Sequence, residues 1–398
     1  MKLLACFEFC TCIICKLINW IIFVCFLFSS VPIPAFHNLT KIDVLSLADN
    51  LVEEIPKEVF EHTPNLGTLD IARGRIKMIR HDDFKSLKRL EHLVLATNEI
   101  SVLEKDSFPH TIKSLHIGRN NISSLNGTLR NLNDLSILFI NSNNLTTLDD
   151  ELPLAPKLLM LMASNNRLVK LPEMMKHLIG QNTCFINENE IRSLDGLFSH
   201  KSAMKWIYAE QNKIEYLAED EFLGSENIDE INLSYNLIPS LNKSLLSITH
   251  LRSANFSVNL LREFSLQEIY GLMKLRYLDL SHNRIEKLTG RIDNLVETTT
   301  GTLLLQLLLH NNLLKSLDGA LAGLSNLRNL RLSNNLLENI YADDFDRMEE
   351  LELLDISNNR LKTLEAFEKV RLLMKSLILR HSINLINLFR FIFQLWRL

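Results

Sequence analysis

Residues 42–52 read IDVLSLADNLV, with apolar side chains at Ile42, Leu45, Leu47 and Val52 and a single asparagine at Asn50. Leu45, Ser46 and Leu47 alternate in, out, in, which is the period of a short β-strand. The same pattern, apolar-x-x-apolar-x-apolar-x-x-Asn-x-apolar, recurs along most of the chain. Its asparagine returns at Asn98, Asn120, Asn143, Asn166, Asn189, Asn212, Asn236, Asn259, Asn283, Asn312, Asn335 and Asn359. The spacings are 22 to 24 residues, apart from one of 29, and a copy centred on Gly74 fills the step between Asn50 and Asn98. Thirteen of fourteen units therefore carry the asparagine.

A strand with two inward leucines cannot bury itself, so each unit needs a neighbour on both sides. Stacking makes a parallel sheet with a continuous apolar core behind it. A buried asparagine has its own task here. Its amide can satisfy backbone groups left unpaired where the chain turns out of the strand, and identical neighbours build a ladder. Gly74 is expected to fit that turn by flexibility and to leave the ladder one rung short. A second apolar stripe follows on the convex side: Phe60, Phe84, Phe108, Phe222 and Phe345 each stand ten residues after their ladder position. Leu87, Leu132 and Leu324 supply further convex packing.

With these motifs in place, residues 39–373 resemble the extracellular "typical" class of leucine-rich-repeat proteins, such as Toll-like receptor ectodomains, chaoptin and related arthropod proteins. The resemblance implies an α/β repeat solenoid, a leucine-rich-repeat horseshoe with a parallel β-sheet on the concave face. Its convex side would hold irregular segments, 3-10 turns and short helices. It implies no one function, because the family includes immune receptors, adhesion proteins, axon-guidance ligands and secreted carriers. The sequence departs from it by lacking the cysteine-rich caps that many extracellular members carry.

The domain reading is 1–35 as a targeting segment, 36–373 as the repeat domain of about fourteen units, and 374–398 as a degenerate last repeat with an apolar tail. Lys2 and Lys16 precede an apolar run, Leu17–Phe28, broken only by Asn19, and Ser29, Ser30, Pro32, Pro34 and Ala35 follow. A charged start, an apolar core and a small-residue exit describe a secretory signal peptide. Retained as an anchor, residues 17–28 would associate with a membrane. In the tail, Leu377 and Leu379 begin a fifteenth unit in which Ser382 replaces the asparagine. A truncated end and a small irregular cap both remain open there.

Five of the six cysteines lie in the first 25 residues, and the C-x-x-C of Cys12 and Cys15 has no second ligand pair. The remaining one, Cys184, occupies an inward strand position and reads as a small buried hydrophobe. His92 and His116 fall on neighbouring strands without a third ligand. No metal and no cofactor are expected. The repeats hold no metalloprotease, nucleophile-elbow or phosphate-loop motif, so no enzyme is expected. A net charge of −4 without a basic run argues against nucleic acid as a partner.

The register also fixes which residues face outward. Between the two inward strand positions stand, in order, Ser46, Asp70, Val94, His116, Phe139, Met162, Phe185, Tyr208, Asn232, Asn255, Asp279, Leu308, Arg331 and Asp355. Four in succession, Phe139 to Tyr208, are large and apolar or aromatic. Met160 and Trp206 adjoin them, Tyr235 is expected at the far edge, and Glu188, Lys205 and Glu210 form a polar rim. Clustered Trp, Tyr, Phe and Met are what binding centres are built from. The expected partner is a protein, or a glycan- or lipid-bearing ligand, on the concave face of repeats five to eight. Oligomeric state is not set by these patterns.

Seven glycosylation sequons begin at Asn38, Asn121, Asn126, Asn144, Asn232, Asn242 and Asn255. Glycans on Asn232 and Asn255 would confine a partner to the aromatic stripe. Thr298–Thr302 carries the surplus of the long unit and reads as a convex or flank loop. Two functions stay open: secreted recognition in immunity or adhesion, and an intracellular scaffold or enzyme regulator. The absent cap cysteines and the lone Cys184 favour the second, because a reducing cytosol would impose just that.

Overall fold

Burial alternates along most of the repeat strands, with the central residue covered and its two neighbours more open, as a sheet packed on one side requires. The computed structural model describes residues 11–15, 20–24, 31, 33–37, 39–153, 157–291, 303–362 and 376–378 of the chain. Asn38, Thr298–Thr302 and the apolar tail from 379 onward lie outside the described residues. The chain divides into two units, Met1–Glu190 and Ile191–Leu398.

In the first unit the repeat strands are Val44–Ser46, Thr68–Asp70, His92–Val94, Ser114–His116, Ile137–Phe139, Met160–Met162 and Thr183–Phe185. Each pairs in parallel with the next without slippage, so Leu45, Leu69, Leu93, Leu115, Leu138, Leu161 and Cys184 form one column. Every member of that column is fully buried. Cys184 thus takes a leucine position as a free thiol. Ahead of these strands, Trp20–Val24 pairs in parallel with Val44–Ser46 and antiparallel with Thr11–Cys15. The backbone of the expected targeting segment therefore lies against the first repeat.

The second unit repeats the scheme with Trp206–Tyr208, Glu230–Asn232, Ser253–Asn255, Tyr277–Asp279, Gln306–Leu308, Asn329–Arg331, Leu353–Asp355 and Ser376–Ile378. All are parallel and in register.

Most rungs of the asparagine ladder share one geometry. Asn236 Nδ2 donates to Leu233 O of its own repeat at 3.0 Å and to Ala209 O of the preceding repeat at 3.0 Å. Its Oδ1 accepts the Ile214 N–H at 3.0 Å. Asn312 makes the same bonds, to Leu309 O, Leu280 O and the Ile285 N–H, across the 29-residue repeat. The insertion therefore leaves the ladder intact.

Each strand exits through a left-handed residue immediately before the ladder position. In the first unit these are Asp49, Arg73, Thr97, Arg119, Ser142, Asn165 and Glu188; in the second, Gln211, Tyr235, Val258, His282, Asn311, Asn334 and Asn358. The conformation aims the residue's N–H at the next repeat, as from Val258 to Ser281 O at 3.0 Å. This corrects the expectation for Gly74. The left-handed residue of its repeat is Arg73, with φ 57°. Gly74 is needed for space instead, since a Cβ there would stand 2.8 Å from Asn98 Oδ1 and 3.1 Å from Val52 O.

On the convex side, Phe60, Phe84 and Phe108 stack with ring centroids 6.1 and 6.4 Å apart. In the second unit Phe222 stacks on Phe198 at 6.4 Å. Phe345, Leu87, Leu132 and Leu324 are buried as the stripe requires. Helix is sparse among the described residues, with one α-helix at Lys57–His62 and 3-10 turns at Ile33–Phe36, Glu173–His177, Leu266–Ile269 and Ala342–Phe345. No helix of the described residues is long and apolar enough to cross a membrane.

Candidate functional site

In the first unit the strand register stacks Val94, His116, Phe139, Met162 and Phe185 as one column on the open side of the sheet. Ile137 and Met160 stand beside it in the neighbouring column. These side chains are half-buried, because strands about 4.8 Å apart let each side chain cover the flanks of the next. Only their tips face solvent. The His116 ring centroid lies 4.1 Å from that of Phe139, tilted by 34°. Burial lowers the His116 pKa, with His92 acting in the same direction and Asp70 against it. At neutral pH the ring is uncharged and extends the apolar column by one repeat.

In the second unit Trp206 stands opposite Glu230 and Tyr208 opposite Asn232. The Tyr208 hydroxyl is hydrogen-bonded to Glu230. Burial first, and then Glu230, Glu210 and Asp229, push its pKa up to about 12. Lys205 Nζ lies 5.7 Å from the Trp206 ring centroid, a cation–π distance. Lys205 and Glu210 thus stand beside this pair. Glu188 belongs to the first unit, where it is the left-handed residue of its turn.

Tyr235 departs from the sequence reading. It is the left-handed residue before Asn236, 54% exposed, and stands beyond the strand in the turn beside Val258. The columns also bring in residues that the outward list alone misses: Ile137 and Glu230, as members of the apolar and polar surroundings. Their signal is present in the sequence, since a strand's residues i and i+2 share a face and the register aligns each with its neighbour.

The sequon asparagines fall into three kinds. Asn232 and Asn255 are half-buried, and their Oδ1 atoms accept the N–H of Ser234 at 3.1 Å and of Ser257 at 3.0 Å. Asp70, Asp279 and Asp355 make the same bond in their own repeats, so the two asparagines have a strand-ending task. Asn126 and Asn242 donate Nδ2 to Leu103 O at 3.0 Å and Leu217 O at 2.9 Å. Asn121 is exposed and Asn144 half-buried, both directly after a ladder asparagine.

His92 pairs across the register with Ser114, whose Oγ lies 3.2 Å from His116 Nε2. Among the described residues no group of three or more His, Cys, Asp or Glu side chains is arranged for a metal ion.

The comparisons with known proteins agree with this architecture. Residues 64–111, 302–361 and 325–384 match the family model described as leucine rich repeat. With the ladder and parallel sheets described above, these matches agree with a leucine-rich-repeat fold. Osteomodulin from Bos taurus is 26% identical over 211 residues, which span 46% of this chain and 47% of that protein. The chain thus spans about half the length of this curated relative. Among solved structures, a leucine-rich-repeat protein of Leptospira interrogans superposes with a TM-score of 0.68 at 21% identity, covering 92% of this chain and 96% of that one. Toll, from the Drosophila Toll–Spatzle complex, gives a TM-score of 0.65 at 19% identity, over 84% of this chain and 49% of that one.

Proposed function

We propose that this is a non-enzymatic recognition protein that works outside the cytosol and binds a protein partner through its strand face, in immunity or cell adhesion. One observation carries the reading. Phe139, Met162 and Phe185 stand in register on the open side of the first unit's sheet, flanked by His116, Ile137 and Met160. A half-covered apolar column of this kind offers a partner large area at little further ordering cost, because packing already fixes its rotamers. Trp206 and Tyr208, with Glu230, Glu210 and Lys205, supply a second, more polar contact in the second unit. The Toll–Spatzle complex supports the reading, being a leucine-rich-repeat architecture with a bound protein partner.

Residues 1–35 are proposed to direct export, by cleavage or as an anchor through residues 17–28, which amino-terminal sequencing of the mature chain distinguishes. The test of the site is partner recovery from cell-surface and secreted protein by wild type, Phe185→Asp, Tyr208→Asp and the double variant. Loss in the double variant is expected. Unchanged recovery removes the strand face as the site.

A second reading, an intracellular scaffold, is favoured by Cys184, a buried free thiol in a chain whose described residues hold no disulfide. A mobility shift of the expressed protein on endoglycosidase treatment sinks it. Asn121 and Asn144 are the proposed carriers, since Asn121 is exposed and Asn144 half-buried in the turn after the ladder.

A further inference from the structure

On the open face of the second unit, two aromatic rings meet a cluster of carboxylates. Trp206 and Tyr208 are residues i and i+2 of one strand, so both rings stand on the same face, about 7 Å apart along it. Glu230 lies beside Trp206 on the next strand, and the Tyr208 hydroxyl donates to it on the diagonal. A carboxylate offers about four acceptor positions, and this bond takes one of them. Asp229 is committed elsewhere, with Arg252 Nε 3.1 Å from its Oδ1, so that ion pair leaves the charge of Glu230 uncancelled. Glu210, two residues beyond Tyr208 and half-buried, adds a second carboxylate. Burial raises the pKa of the Tyr208 phenol, and Glu230, Glu210 and Asp229 raise it further, so the field here is negative. Ser253 follows Glu230 in register on the next strand, and its short side chain leaves the carboxylate open on that side.

Such a surface has a definite chemical complement. Aromatic rings carry negative charge on their faces and attract a cation within about 6 Å of the centroid. Trp206 already holds one, since Lys205 Nζ lies 5.7 Å from its centroid. Lys205 is exposed, and a hydrated point charge on a flexible stem is readily displaced. A guanidinium suits the place better than an ammonium. It stacks flat on a ring and meets a carboxylate through two parallel N–H bonds, neither of which an ammonium can do.

We propose that this part of the second unit binds an arginine side chain of the protein partner, stacked on Trp206 and paired with Glu230, in place of Lys205. The inference rests on the reading of the strand face as the recognition surface. It adds the chemistry of one contact: a basic, arginine-bearing segment, selected by charge and by the planar shape of its head group.

The experiment uses a capped tri-arginine peptide as the probe. In the full chain Trp20 and Trp396 are changed to Phe, which leaves Trp206 as the one tryptophan, and its fluorescence is followed as peptide is added. A saturable change is expected, with capped tri-lysine at least about threefold weaker. Glu230→Gln keeps an oxygen for the Tyr208 hydroxyl and loses the charge, so tri-arginine should bind about tenfold more weakly. Lys205→Met keeps the stem and removes the competing cation, and should tighten binding about threefold, which a purely structural lysine would not do. Glu263→Gln removes an exposed carboxylate from a different sheet and should titrate as the parent does. A signal that does not saturate overturns the proposal. So does equal binding of tri-arginine and tri-lysine, a Glu230→Gln titration like that of the parent, or weaker binding in Lys205→Met. Partner recovery is then repeated with Glu230→Gln alone. Reduced recovery joins the arginine to the partner, and full recovery by a protein that has lost tri-arginine overturns that link. The double variant at Phe185 and Tyr208 judges the strand face separately.

Discussion

Asn98 leans into the space that a side chain on Gly74 would need: its Oδ1 lies 2.8 Å from the position of a Cβ on that glycine. The oxygen is held there by the Ile76 N–H at 3.1 Å, while Nδ2 donates to Ile71 O at 2.9 Å and Leu95 O at 3.0 Å. The rung above the gap is therefore complete, and it is complete because the gap is a glycine.

Gly74→Ala is accordingly expected to destabilise the chain. A glycine at negative φ usually gains about 0.4–1 kcal/mol on replacement by alanine, through the unfolded chain. Here the added methyl must displace a buried, bonded carboxamide, and overpacking of that sort costs about 1–3 kcal/mol. The net loss should be visible as a lower urea midpoint. A midpoint that rises would show that Asn98 moves aside freely.

Asn236→Ala should cost more. It removes donors to Ala209 O and Leu233 O and the acceptor of the Ile214 N–H, all buried, at 3.0 Å each. Stranding buried backbone groups costs about 1–3 kcal/mol apiece, partly relieved by water, so a loss of roughly 2–4 kcal/mol is expected. Thermal unfolding followed by circular dichroism checks it. A shift no larger than that of an exposed substitution such as Lys213→Ala would mean that the ladder is ornamental.

Strand positions, inward columns and the ladder are legible in the sequence because one repeat, copied fourteen times, averages away local ambiguity. Three things are not legible there, each for a physical reason. Gly74 reads as a flexible turn residue, but the left-handed duty falls one residue earlier, on side chains as varied as Arg73, Glu188 and Val258. No residue type announces that site, because the ladder and the inter-repeat bonds impose the conformation. Tyr235 joins the aromatic stripe by proximity in sequence, yet it sits at that same left-handed site and leaves the sheet. The open face itself is read from sequence mainly by its central column. The parallel register adds a second column, which is how Ile137 and Glu230 enter.

Val258 carries the sharpest conflict between residue and backbone. At φ 55° a β-branched side chain is strained, and asparagine, found at the equivalent positions Asn311, Asn334 and Asn358, is not. Val258→Asn should therefore stabilise the second unit by about 1 kcal/mol, the lower end of the cost of such strain. A raised melting temperature is the expected reading. A fall would show that the valine side chain is worth more there than it costs in strain.

Glu221 makes stability depend on pH. The carboxylate is buried, 1% exposed, and its Oε1 accepts the Gly196 N–H at 3.0 Å. Burial, the largest influence, raises its pKa to about 7, against 4.5 when unperturbed; the Gly196 and Ala218 bonds oppose the rise and Asp195 and Asp220 add to it. The folded state therefore holds a proton that the unfolded chain has released between these two values. Stability from this group is full below pH 4.5, falls as pH rises towards 7, and is level above. The loss across that window is up to about 3 kcal/mol, since a tenfold change in proton affinity corresponds to about 1.4 kcal/mol. Glu221→Gln keeps the oxygen that receives the Gly196 N–H and cannot ionise. It should match wild type at the acid end and exceed it above neutrality, with the slope between them gone. Denaturant midpoints taken at half-unit steps of pH decide this: parallel curves for the two proteins would assign the pH dependence elsewhere, with Asp344, whose pKa burial also raises, as the next group to replace.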